Sequence, residues 1–182
     1  KQENGTTRLS DEEIDKAYAF AEDYKKFMDA AKIEIEAVKE AIKLLEANGY
    51  HEFERGRKYL PGERFYYNNR GKSLIFGTMG TRPIEKGVKI LAAHVDSPRL
   101  DLKPNPLFEE AELGFLRPHY YGGIKKYQWV TLPLALHGVV AKKDGSIVEI
   151  NIGENEDDPV FFISDLLIHL SAEQMEKKAS KV

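Results

Sequence analysis

In the run Ala92-Ala93-His94-Val95-Asp96-Ser97-Pro98, an apolar stretch stops at an imidazole and a carboxylate two positions apart. In extended backbone, side chains at i and i+2 point to the same side, so His94 and Asp96 share a face as the chain leaves a strand. Open α/β sheets bind ligands beyond the carboxyl ends of their strands, where this pair falls. A carboxylate beside an imidazole fixes its tautomer and raises its basicity, as around metal-ligating histidines. One reading makes His94 a metal ligand and Asp96 the residue that orients it. The other is a polar pair that shapes a turn at a strand end. The tripeptide alone does not choose between them.

Composition restricts which metal chemistry is open. The chain has 182 residues and no cysteine, so disulfides and thiolate metal sites are excluded and any metal needs His, Asp or Glu. Hydrophobic residues make up 42% and charged residues 31%, as in globular proteins. The net charge is -3 with the signs interspersed, which argues against a nucleic-acid surface. No window reaches the ~18 apolar residues of a membrane helix. The N-terminal Lys-Gln-Glu-Asn-Gly-Thr-Thr lacks the apolar core of a signal peptide, so a cytoplasmic, non-membrane protein is expected. The first residue is not Met, consistent with a trimmed or partial chain.

Several elements are placed to position the pair. Ser10 and Glu13 form a capping box, with Leu9 and Ile14 as its staple. Ile14, Ala17, Tyr18, Ala21, Tyr24, Phe27 and Met28 follow at helical spacing. A second stripe, Ile35, Val38, Ala41, Ile42 and Leu45, ends at Asn48-Gly49, and its phase shift near residues 30–33 predicts two helices or a bend. Residues 64–68 and 73–77 flank Asn69-Arg70-Gly71 as a hairpin. Residues 87–93 are apolar almost throughout, as in a strand buried on both faces. Pro104 and Pro106 are expected to stop any central strand. Beyond them, residues 127–132, 134–140 and 147–152 read as strands, the last two joined through Asp144-Gly145. A final helix is expected from Ser164 to about Lys177. The predicted fold class is α/β: helices on a buried mixed sheet over residues 1–103, then a β-rich subdomain over 104–182.

The surrounding text gives the His-x-Asp element more weight. Residues 92–100, with Tyr120-Tyr121-Gly122-Gly123-Ile124, Asp158-Pro159-Val160-Phe161 and Leu166-Leu167-Ile168-His169-Leu170, closely resemble the aspartyl aminopeptidase family of di-zinc metallopeptidases. The resemblance runs from about Ile14 to the C-terminus. It implies that His94 binds one of two zinc ions, that Asp96 is a catalytic-site residue holding the imidazole, and that the β-rich part is an inserted domain pairing subunits. It also implies that His169 enters the partner subunit's site to contact substrate. Peptides with N-terminal Asp or Glu would be the substrates, and a homo-oligomer built from dimers the assembly. His51, His119 and His137 match nothing in the family pattern.

The remaining ligands and the general base of such a site find no counterpart. Residues 154–158 and Glu109, Glu110 and Glu112 read as solvated loops. The resemblance therefore implies the N-terminal portion of a longer enzyme, inactive by itself. A non-catalytic assembly module and an aminopeptidase of different residue specificity are the competing readings.

Overall fold

The computed structural model describes residues 4–181, and the chain divides into two compact units, Lys1–Asp96 and Ser97–Val182. In the first unit, helix α1 spans Asp11–Ala30 and helix α2 spans Glu34–Ala47. The expected capping box starts α1: the Ser10 amide donates to Glu13 Oε2 at 2.9 Å, and the Glu13 amide donates to Ser10 Oγ at 3.3 Å. The stripe breaks between the helices, where Glu36 Oε2 accepts from the Lys32 and Ile33 amides. At the end of α2, the Tyr50 amide donates to the Leu45 carbonyl and the Gly49 amide to that of Glu46. This is the paired C-terminal bond pattern that needs a left-handed residue, supplied by Gly49 at φ +76°.

A three-stranded sheet lies beside the helices: β1 (His51–Glu52), β2 (Arg64–Asn69) and β3 (Ser73–Thr78), in the order β1-β2-β3. β1 runs parallel to β2, and β3 antiparallel, with Tyr66 opposite Phe76. The sheet is therefore mixed, as expected, but it is not the buried sheet predicted, since of its three strands only Tyr66 is buried. Arg70 and Gly71 both take positive φ in the turn, and Asn68 Oδ1 accepts from the Gly71 amide at 2.7 Å. The core comprises Ala37, Val38, Leu45 and Tyr66, with Val38 only 1% exposed. Tyr66 donates to Glu46 Oε1 at 2.7 Å, tying β2 to α2.

Residues 87–93 do not form the predicted strand. Ile90 is 78% exposed and Leu91 101%. A strand buried on both faces needs neighbours to accept its peptide groups and cover its side chains. The described sheet ends at β3 and supplies none, so the apolar pattern is present without the element it encodes.

The second unit is built from ribbons. Strand β4 (Arg99–Glu110) pairs antiparallel with β5 (Leu113–Tyr121), and β6 (Leu136–Ala141) with β7 (Ile147–Ile152). Pro104 and Pro106 do not end β4. Leu102 faces Pro118 while Leu107 faces Leu116, so the register slips across the prolines, and a bulge on a two-stranded ribbon tolerates their missing donors. Glu109 and Glu110 accordingly lie on β4 rather than in a loop. Of the strand expected over 127–132, only Val130 pairs, with Ile163. A short 3-10 turn, Lys126–Gln128, precedes it, and Thr131 takes φ +61°. The final helix is also shorter than predicted: α3 covers only Ala172–Met175. Phe161 and Ile163 are held extended by bridges to Leu134 and Val130, which removes Ser164 from a capping position.

Candidate metal-ligand site

His94 and Asp96 meet as the i, i+2 spacing requires, without the strand. The His94 Nδ1–H donates to the Asp96 carbonyl oxygen at 2.8 Å, and Asp96 Oδ1 lies 3.2 Å from the same nitrogen. A carbonyl can only accept, so Nδ1 carries the proton and Nε2 holds the lone pair. The His94 side chain is 83% exposed and that of Asp96 37%. The result is an outward imidazole, oriented from behind by a carboxylate and a carbonyl, which is how proteins prepare a histidine for a divalent cation.

Stable catalytic zinc sites use about three protein ligands. Among the described residues no group of three or more His, Asp or Glu is placed to hold a metal. The donor type suits zinc but the donor number does not. The described residues therefore do not make a zinc site by themselves, and no reaction step follows from them alone.

His169 lies in the other unit, exposed on the 3-10 turn Ile168–Leu170 just before α3. The remaining histidines take structural places. His137 Nε2 sits 2.9 Å from Glu154 Oε1, with its side chain only 9% exposed. His119 stacks on Tyr120 and pairs across the ribbon with Asp101, and His51 lies on β1. The His137–Glu154 pair is invisible to short-range motif reading, because the β6–β7 hairpin closes the gap between them. Residues 153–158 form a tight knot: Asp158 Oδ2 accepts from the Gly153 amide at 3.0 Å and from the Asn155 amide at 3.1 Å. These bonds hold the Asp158 carboxyl below the ordinary aspartate range. Its oxygens serve the loop's own backbone, which gives Asp158 a structural role.

The aminopeptidase I zinc metalloprotease (M18) family matches residues 27–181. A probable M18 family aminopeptidase 1 of Clostridium acetobutylicum is 51% identical over 183 residues, covering 98% of this chain and 39% of the relative. The crystal structure of the Thermotoga maritima M18 aminopeptidase superposes with a TM-score of 0.89 at 40% identity, covering 100% of this chain and 39% of that one. Aminopeptidase I from Borrelia burgdorferi gives 0.86 at 45% identity, over 91% and 41%. The chain thus spans about two-fifths of the length of these relatives. On the family match and these identities, the chain belongs to the aminopeptidase I zinc metalloprotease (M18) family.

Proposed function

We propose that this polypeptide is part of a zinc-dependent aminopeptidase that removes N-terminal residues, with Asp and Glu preferred, from peptides. The observation that carries the reading is the His94–Asp96 contact, an exposed imidazole with its tautomer already fixed, inside the family-matched span. In this reading His94 Nε2 is one metal donor, and Asp96 keeps the proton on Nδ1 so that this donor stays in its binding form. A zinc ion held in part by His94 would supply Lewis acidity to the complete site. Residues 104–182 pair subunits into dimers, the basis of a cytoplasmic homo-oligomer, and His169 reaches the partner subunit's site to help position substrate.

The test is made in the polypeptide that carries this sequence in the cell. His94→Ala is expected to remove bound zinc and lower release of N-terminal Asp or Glu by at least about a hundredfold. Asp96→Asn is expected to weaken metal affinity or activity by ~10–100-fold, and His169→Phe to lower turnover with zinc content unchanged. Full zinc occupancy and turnover in His94→Ala would defeat the proposal.

A further inference from the structure

His169 stands on a short loop whose two ends are anchored. On the entering side, Phe161 and Ile163 are bridged to Leu134 and Val130, and the Thr131 amide donates to the Ile163 carbonyl at 2.8 Å. On the leaving side, α3 begins at Ala172. Between them the chain turns through Ile168–Leu170, where the Leu170 amide donates to the Leu167 carbonyl. Packing within this unit does little to hold the turn. Leu167, Ile168 and Leu170 are 71%, 65% and 71% exposed, and the loop borders a cleft of about 440 Å³ shared with Tyr127 and Val130.

Polar contacts take over that task. Asp165 Oδ1 accepts from the Leu166 amide at 2.8 Å and, nine positions along the chain, from Gln174 Nε2 at 3.0 Å. An ionised carboxylate can only accept, which obliges the Gln174 amide to present its nitrogen. Its Oε1 is thereby turned inward, buried and with no partner among the described residues. A buried acceptor left without a donor costs free energy, so Gln174 holds an orientation that its own surroundings disfavour, and Asp165 sets it. Inside this clasp Ser171 is 5% exposed, and its hydroxyl donates to the Ile168 carbonyl at 3.2 Å. His169 is thus exposed on a turn that is pinned on both flanks.

We propose that Asp165 and Gln174 are positioning residues for His169: their hydrogen bond clasps the base of the 165–174 loop and aims the imidazole. The inference rests on the reading that His169 contacts substrate in the partner subunit's site, and it adds the groups that hold the ring for that purpose. Reach alone is not enough for such a group, because a misplacement of about 1 Å can cost on the order of a hundredfold in rate. In this role neither Asp165 nor Gln174 touches substrate. Both bonds to Asp165 end on one oxygen, which asparagine also carries and alanine lacks. The chemistry of the clasp therefore states in advance which substitutions are tolerated.

The test is steady-state kinetics on a peptide with N-terminal Asp or Glu, using the polypeptide that carries this sequence in the cell. Zinc content and the thermal midpoint are measured alongside. Gln174→Met is close to glutamine in size and helix preference, yet it breaks the clasp and removes the buried, unpartnered acceptor. It is expected to lower kcat at least about tenfold while zinc is retained and the midpoint holds or rises, which a merely structural role would not give. Asp165→Ala is expected to lower kcat similarly, and Asp165→Asn to keep the wild-type value. In a His169→Phe background Gln174→Met is expected to cost nothing further, since residues that act through one another are not additive. Wild-type kcat in Gln174→Met beside an impaired His169→Phe overturns the clasp and leaves the His169 reading standing. Additive losses, zinc lost from Gln174→Met, a clear drop in its midpoint, or an Asp165→Asn as impaired as Asp165→Ala overturn it too. Wild-type kinetics in His169→Phe itself removes that reading and the clasp with it.

Discussion

The two units hold themselves together differently. Among the described residues every buried apolar side chain, Ala37, Val38, Leu45 and Tyr66, belongs to Lys1–Asp96, while the only buried residue of Ser97–Val182 is Ser171. The first unit has helix-on-sheet packing. The second is organised by two hairpin ladders and by rings and cations facing each other across them. Phe108 stacks on Phe115 at 5.3 Å, and the guanidinium groups of Arg117 and Arg99 lie 4.3 Å over the rings of Phe108 and Tyr121. Such cross-strand pairs contribute about 0.2–1 kcal/mol each, and two-stranded ribbons are marginal alone. In one half stability is concentrated in a few buried atoms; in the other it is spread over many shallow contacts.

This contrast can be broken or sharpened by substitution. Val38→Asp places an unpaired carboxylate at the centre of the first unit and is expected to cost at least about 3 kcal/mol. Urea unfolding followed by circular dichroism would show the helices lost. If amide exchange showed the β4–β5 ladder lost at the same urea concentration, the two-unit picture would fail. In the second unit, Gly153→Ala is expected to cost about 1–3 kcal/mol. Gly153 has φ +107° and a new Cβ would sit 3.0 Å from Ala135 Cα. Faster amide exchange confined to β6 and β7 would support this local strain, and wild-type protection would refute it.

Tyr66→Phe gives the smallest change, about 1 kcal/mol, because exposed Glu46 regains water. The hydrogen bond to Glu46, with burial second, pushes the Tyr66 hydroxyl up to about 12 from 10.0. The folded state therefore holds this proton more tightly than the unfolded chain. The contribution is fully present below pH 10 and is lost as pH climbs towards 12. The stability gap between wild type and Tyr66→Phe should narrow over that window, and a gap independent of pH would remove the pairing from the account.

What could be read from the sequence follows range. The Ser10–Glu13 cap, the Gly49 stop, the Arg70-Gly71 turn and the Asp144-Gly145 turn each depend on residues within a few positions, and each is found. The His94–Asp96 contact belongs to the same class. Residues 87–93, by contrast, encode a strand whose neighbours are not among the described elements. Residues 127–132 and the start of the final helix were decided by bridges from Val130 and Leu134 to Ile163 and Phe161, some thirty positions away in sequence. The proline pair misled because the expectation of a central strand did not allow for a ribbon with a slipped register. The apolar stripe of α1 was legible, but its exposure was not.

The imidazole at position 94 is steered by a residue only two places further along the chain, so its aim requires no distant loop to close and little ordering entropy. Neither the helical core nor the ribbons are needed to set that direction. A ring aimed so locally can hold its direction before the rest of the unit has packed.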